Sequence, residues 1–134
     1  MTAPSLARRL RSRRVVVQDD SMRPTLTPGD RLLVDPSAYR RHPPQRGDVI
    51  VLVDPADRRR WLVKRVAALP GDPFPAPGVP GDDARVPPRH VFVLADEPDK
   101  GRDSRSFGPV PLDRVIGRVW YRSAPADSAG PLPP

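Results

Sequence analysis

Proline is the residue that most restricts how this chain can fold. There are 21 prolines and 9 glycines among its 134 residues, and both are unfavourable inside helices and central strands. This content argues against a helix bundle and favours a β domain, in which prolines occupy edges and turns. A chain of this length forms one domain. We therefore expect a mostly β fold, a single small β-barrel-like or sandwich domain with long Pro/Gly-rich loops and little helix.

Six runs of apolar and β-branched residues, each bounded by turn residues, predict the strands. They are Val15–Val17, Arg31–Val34, Val49–Val53, Trp61–Leu69, Val91–Ala95 and Val115–Tyr121. Residues 70–90 contain seven prolines and predict a long loop between the fourth and fifth runs. Met22–Leu26 predict a single helical turn, with Ser21 as its cap.

The positive charge of the chain is concentrated near its start. The formal net charge is +7, and five arginines stand at positions 8, 9, 11, 13 and 14 with no acid among them. Because the rest of the chain is nearly neutral, no nucleic-acid partner is expected, and Arg8–Arg14 could contact an anionic membrane peripherally. Residues 1–12 are expected to form a basic disordered tail and 123–134 a disordered C-terminal tail, on either side of a folded domain at 13–122.

The residue types that the chain lacks and the short length of its apolar runs exclude further classes of protein. The chain has no cysteine, so disulfides, thiolate metal sites and cysteine nucleophiles are excluded, and its two histidines alone do not form a zinc site. No metal or cofactor is expected. The longest apolar runs are far shorter than the roughly 20 residues of a membrane span, and the start lacks the apolar stretch of a signal peptide. We therefore expect a cytoplasmic protein, at most peripheral at the membrane.

Lys64 is a candidate general base. Only two lysines, Lys64 and Lys100, accompany the many arginines. The period of two in a strand places Leu62, Lys64 and Val66 on one face. Among apolar neighbours the pKa of a lysine falls, whereas an arginine stays charged. The strand alone is better explained by a lysine that reaches the surface from an amphipathic edge strand, so a partner is needed to support a catalytic role.

Ser21 is the candidate partner. It stands between an apolar strand and a turn rich in proline and glycine, where a nucleophile can be exposed. A serine hydroxyl needs a base within hydrogen-bond reach, and Ser–Lys pairs are a known variant of the catalytic triad. His42 and His90 lie in proline-flanked loops, so Lys64 is the better candidate. Taken alone, Ser21 is best explained as a helix cap.

Four groups of motifs now resemble the sequence boxes of type I signal peptidases. In order they are SMRPTL (21–26) with PGD (28–30), RGDVIVL (46–52), KRVAALPGD (64–72) and GRDSRSFGPVP (101–111). The resemblance covers roughly residues 15–120. It implies that 13–122 is a mostly β, signal-peptidase-like catalytic domain. The activity it implies is that of a serine endopeptidase that removes a signal or leader peptide after small residues.

The resemblance also implies roles for individual residues. Ser21 is the acylating nucleophile, with its backbone N–H in the oxyanion hole, and Lys64 is the general base. Met22 lines the substrate pocket. The residues implied to support the surroundings of the lysine, the first and last as a pair, are Asp103, Ser104 and Arg105.

Two positions depart from the family pattern. Asp19 stands where many members have a small or hydroxyl residue that helps to stabilise the oxyanion. A carboxylate opposes a developing oxyanion, so Asp19 must point away, be protonated, or lower activity. Gly101 stands where many members have a serine hydrogen-bonded to the lysine, so Lys64 is expected to be held less firmly.

Two alternatives stay open. The expected absence of a membrane anchor also fits a cytoplasmic maturation protease that removes the leader of nickel-type superoxide dismutase. The alternative from another class is a non-catalytic peptide-binding adaptor, whose arginine tail docks on lipid or nucleic acid. The state of Lys64 separates the two classes, because an adaptor needs no buried neutral amine whereas a protease does.

Overall fold

The computed structural model describes residues 6–81 and 83–132, which fold around an antiparallel β-sheet. Its strands are β1 (Arg13–Val16), β2 (Arg31–Asp35), β3 (Val49–Asp54), β4 (Asp57–Ala68), β5 (His90–Leu94), β6 (Val110–Pro111) and β7 (Val115–Ala124). The α-helices are α1 (Leu6–Arg11) and α2 (Ser104–Phe107), and 3-10 turns cover Leu112–Arg114 and Ala126–Ser128. Within the described ranges, no helix has the length and apolar character needed to cross a membrane. The expected mostly β, helix-poor fold is confirmed.

The strand order is β1-β2-β7-β3-β4-β5-β6, and all the described pairings are antiparallel. The C-terminal strand β7 therefore lies inside the sheet, between β2 and β3. Close approach of the backbones is needed there, because a Cβ added to Gly117 of β7 would lie 2.4 Å from the carbonyl oxygen of Asp35 in β2.

The central strand β3 is buried on both faces. Val49 and Val51 belong to a core cluster that also includes Met22 and Leu26. On the opposite face, Ile50 and Leu52 pack in a second cluster with residues of β4 and β5, as the alternation of side chains along a strand requires. Each fully buried aliphatic side chain of this kind contributes about 1.5–3 kcal/mol. The turn after Ser21 and the apolar face of β4 thus rest on opposite sides of one strand.

The six predicted strands correspond to β1–β5 and β7, and the turn at 22–26 forms with a 2.8 Å hydrogen bond from the Leu26 N–H to the Met22 carbonyl. The two-residue strand β6, Val110–Pro111, was not predicted, because it is not part of a run of apolar residues. The described part of the loop at 70–90 folds back on itself. Val86 exchanges backbone hydrogen bonds with Gly71 and Asp72 and is buried against Phe92 and Ala68.

Both terminal segments are more ordered than expected. Residues 6–11 form α1, and behind it Ser12 accepts a 2.8 Å hydrogen bond from the indole N–H of Trp120. At the other end β7 continues to Ala124, and Arg122 and Gly130 exchange two backbone hydrogen bonds. The bond of Ser12 to Trp120 and the pairing of Arg31 with Ala124 join residues far apart in the sequence, so local composition does not reveal this order. Residues 1–5 and 133–134 of the two expected tails lie outside the described residues.

Candidate active site

A hydrogen bond and the packing of two neighbouring side chains hold the turn that contains Ser21. The Ser21 carbonyl accepts a 2.9 Å hydrogen bond from the Glu97 N–H. The side chains of Met22 and Leu26, at most 1% exposed, are buried in the core below the turn. Ser21 itself is 3% exposed. Apolar burial and a long-range hydrogen bond therefore fix the position of the hydroxyl.

A partly buried ion pair connects this turn to β4. The Arg65 guanidinium donates to both carboxylate oxygens of Asp96 at 2.8 and 2.9 Å, and the Thr25 hydroxyl donates to Asp96 at 2.8 Å. A further 2.8 Å hydrogen bond joins Arg65 to the Gly47 carbonyl. Burial alone would raise the pKa of Asp96, but the bonds from Arg65 and Thr25 lower it. This connection was not predicted from the sequence, because Arg65 and Asp96 are 31 residues apart.

Lys64 is buried on the predicted face of β4. Leu62, Lys64 and Val66 are all buried, whereas the intervening residues are only partly covered. Lys64 is 1% exposed, and no described residue hydrogen-bonds to its Nζ. Burial lowers the pKa of Lys64, although the charges of Asp19 and Asp103 act in the opposite direction. A neutral amine is therefore available at a lower pH than for an ordinary lysine.

Ser21 and Lys64 border the same small space beside Gly101. A Cβ built on Gly101 would lie 3.1 Å from Lys64 Nζ, 3.1 Å from Ser21 Cβ and 3.9 Å from Ser21 Oγ. The φ of Gly101 is +79°, a conformation in which a side chain is strained. Glycine thus leaves open the space that the amine and the hydroxyl share.

The predicted supporting residues fasten α2 to β5. The buried Asp103 caps α2, accepts a 2.9 Å hydrogen bond from the Ala95 N–H and pairs with the Arg105 guanidinium at 2.9–3.2 Å. Burial would raise the pKa of Asp103, but the hydrogen bonds from Arg105 and Ala95 lower it, so its charge persists near Lys64. The Ser104 hydroxyl accepts from the Val93 N–H at 2.9 Å. Ser104 is thus bound to the sheet and forms no hydrogen bond with the lysine.

Asp19 contacts the backbone of Ser21, the predicted nucleophile. The Ser21 N–H, which the family resemblance places in the oxyanion hole, donates a 3.0 Å hydrogen bond to Asp19 Oδ1. Arg60 Nη2 lies 3.7 Å from the other carboxylate oxygen. Burial would raise the pKa of Asp19, but the hydrogen bonds from Ser21 and the charges of Lys64 and Arg60 lower it. The carboxylate therefore neither points away from this N–H nor is protonated at neutral pH.

This contact follows a local pattern that the sequence could have suggested. An aspartate often accepts a hydrogen bond from the N–H two residues later. Five aspartates of this structure do so: Asp19, Asp35, Asp54, Asp57 and Asp103. The spacing of Asp19 and Ser21 was therefore a usable signal, and it was missed.

A groove of about 390 Å³ adjoins Ser21. Residues 14–19 line one side and residues 59–63 the other, and Met22 also borders it. In the described pairings β1 bonds only to β2, and β5 pairs with β4 only from Arg65 onward. Two strand edges with free backbone groups thus border the groove, an arrangement to which an extended peptide can add.

An antiparallel β domain in which a buried serine and a buried lysine border one small space, with a groove beside the serine to which an extended peptide can add, suits a peptidase. The comparison with known families agrees. The chain belongs to the signal peptidase, peptidase S26 family, whose model matches residues 4–75 and 76–123. It is accordingly a serine endopeptidase of the signal peptidase I-like type and acts on protein substrates.

Curated relatives support the same family. The chain is 41% identical over 120 residues to the mitochondrial ATP-independent inner membrane protease subunit 1b of Arabidopsis thaliana, covering 85% of this chain and 71% of the relative. It is 34% identical over 145 residues to the probable signal peptidase I-1 of Synechocystis sp., covering 87% and 73%. A crystal structure of a signal peptidase I from Enterococcus faecalis V583 matches with a TM-score of 0.47 and 22% identity, covering 56% of this chain and 95% of that one. The family expected from the four motif groups is confirmed.

The tightness of the space beside Gly101 can be tested by Gly101→Ala. We expect the free energy of unfolding to fall by about 1–2 kcal/mol from the positive φ alone, and further because the new methyl group crowds Ser21 and Lys64. Gly78→Ala is the matched control, since its φ is +78° and nothing lies within 4 Å of its Cβ position. Urea unfolding measures both. Equal losses in the two variants would contradict the crowding.

Proposed function

We propose that this endopeptidase removes a signal or leader peptide by acyl transfer, with Ser21 as nucleophile and Lys64 as general base. The observation that carries the proposal is the space beside Gly101, which the buried amine and hydroxyl share. Burial lowers the pKa of Lys64, which makes a neutral amine available to accept the serine proton.

The reaction then proceeds in two halves. Neutral Lys64 takes the proton of Ser21, and Oγ attacks the scissile carbonyl to give a tetrahedral oxyanion. The ammonium of Lys64 returns the proton to the leaving amine as the peptide bond breaks, which leaves an ester on Ser21. Lys64 next takes a proton from water, whose oxygen attacks the ester to give a second tetrahedral oxyanion. The ammonium returns this proton to Ser21 Oγ as the ester bond breaks, which releases the second product and restores both groups. The Ser21 N–H stabilises both oxyanions once Asp19 has released it.

The substrate lies extended in the groove beside Ser21. The free edges of β1 and β4 supply main-chain hydrogen bonds to such a peptide. Cleavage after small residues is what the family resemblance implies, with Met22 lining the pocket. Contact of Arg8–Arg14 with anionic membrane and the cytoplasmic location stay predictions of the sequence.

The two alternative functions, an adaptor and a maturation protease, differ in how well they fit these features. A non-catalytic adaptor has no need of a buried amine with a lowered pKa, and the family match opposes it as well. A maturation protease for nickel-type superoxide dismutase would use the same Ser21 and Lys64. Only the identity of the cleaved leader distinguishes it from a signal peptidase.

The roles of Ser21 and Lys64 can be tested with a serine-reactive β-lactam probe and intact mass spectrometry. We expect one adduct on the native protein and none on Ser21→Ala or Lys64→Arg, because arginine keeps the charge but does not deprotonate. Lys100→Arg, the same change at the exposed second lysine, is the control and should react normally. An adduct on Lys64→Arg would rule out Lys64 as the base.

The pH dependence of acylation gives a second test. A base must be neutral to act, so the rate should rise with pH and level off above the pKa of Lys64. Because burial lowers that pKa, we expect the midpoint below the ordinary lysine value of 10.5. Stopped-time mass spectrometry across the pH range measures it. A midpoint at or above the ordinary value would show that the amine is not desolvated in solution.

The contact between Asp19 and the Ser21 N–H should reduce the rate. We expect Asp19→Ser to accelerate acylation about tenfold, because the N–H becomes free for the oxyanion. Loss of the negative charge should also move the pH midpoint downward, since Asp19 raises the pKa of Lys64. Asp20→Ser, which removes an exposed neighbouring carboxylate, is the control and should leave both unchanged. A rate unaffected by Asp19→Ser would show that the carboxylate leaves the N–H without cost.

A further inference from the structure

A second cavity, remote in sequence from Ser21 and Lys64, is lined mainly by arginines. Its volume is about 510 Å³, within the range of small-ligand sites. Three segments that are far apart in sequence form it: α1, the turn after β2, and β7. The charged residues of its lining, five basic and one acidic, are Arg8, Arg11, Arg40, Arg41, Arg118 and Asp35.

The single acid of this lining is already engaged. Asp35 accepts hydrogen bonds from the backbone N–H and the hydroxyl of Ser37 at 2.9 and 2.8 Å. No salt bridge to Arg11, Arg40 or Arg118 occurs within the described part of the chain, and the same holds for Arg41. Eight other arginines each have a carboxylate within 4.0 Å. The lining therefore includes four arginines whose charge no salt bridge within the described residues neutralises: Arg11, Arg40, Arg41 and Arg118.

Helix α1, which carries Arg8, is held against β7. The Arg8 guanidinium lies 3.8 Å from the ring centre of Trp120. The indole N–H of Trp120 donates to Ser12 Oγ, and Ser12 Oγ donates to the Arg8 carbonyl at 2.9 Å. Stacking and hydrogen bonding thus fix α1 against β7, so the arginines of the two elements face one preformed space.

We infer that this cavity binds a phosphate group. Guanidinium groups bind phosphate oxygens through paired, charge-assisted hydrogen bonds. A phosphate would also relieve the mutual repulsion of the arginines that surround the space. The phosphate is that of an anionic phospholipid headgroup or of a free phosphorylated compound, and the inference does not depend on peptidase activity.

The test uses the full chain and two forms of phosphate. Inorganic pyrophosphate is titrated by calorimetry, and vesicles of phosphatidylcholine with or without phosphatidylglycerol are tested by co-sedimentation. The variant is Arg40→Gln with Arg41→Gln, in exposed turn residues. The matched control, Arg58→Gln with Arg85→Gln, removes two exposed arginines elsewhere. We expect binding to weaken about tenfold or more in the cavity variant and to be unchanged in the control.

Each outcome has a clear meaning. Weakened pyrophosphate binding in the cavity variant alone supports a free phosphate compound as the ligand. Weakened binding only to vesicles that contain phosphatidylglycerol supports the lipid headgroup. Equal weakening in the cavity variant and the control, or no binding of either probe by the native protein, would overturn the inference. Circular dichroism of each variant confirms that the fold is retained.

Discussion

The desolvation of Lys64 is the constraint on which the rest of this structure depends. An ammonium in an apolar environment is costly, and the cost falls when the group becomes neutral. Asp19 and Asp103 act against this effect because their charges favour the ammonium. Burial outweighs these charges, so the pKa of Lys64 is lowered, which suits the proton-accepting role proposed for the amine.

The two faces of β4 make different contacts, because side chains alternate between the faces along the strand. One face buries Lys64 beside the apolar core, whereas Arg65 on the other face binds Asp96, which in turn holds Thr25 in the turn of Ser21. A one-residue shift in the pairing of β4 would exchange the two faces. Correct register thus positions Lys64 directly and Ser21 through an ion pair on the opposite side.

Features set by the local period or by short motifs could be predicted from the sequence. Six strands followed from β-branched runs between turn residues, and the period of two placed Leu62, Lys64 and Val66 on one face of the fourth. The strand alone left open whether Lys64 is buried or reaches the surface. Contacts between distant segments could not be predicted in this way. The docking of α1 on Trp120 and the pair of Arg65 with Asp96 depend on the order of strands in the sheet, which no single segment encodes. The cavity among the arginines likewise forms only when α1, the turn after β2 and β7 come together.

Asp19 is the feature in which local structure and chemistry oppose each other. Its bond to the Ser21 N–H is one of five similar local contacts, so the fold needs no special arrangement to form it. A hydrogen bond of this kind contributes about 0.5–1.5 kcal/mol net, and more when one partner is charged. Since about 1.4 kcal/mol corresponds to a tenfold change in rate, displacing the carboxylate would slow the proposed reaction without preventing it. Arg60, already 3.7 Å away, offers the displaced carboxylate a cation. The departure from the family pattern at this position is therefore compatible with a working peptidase.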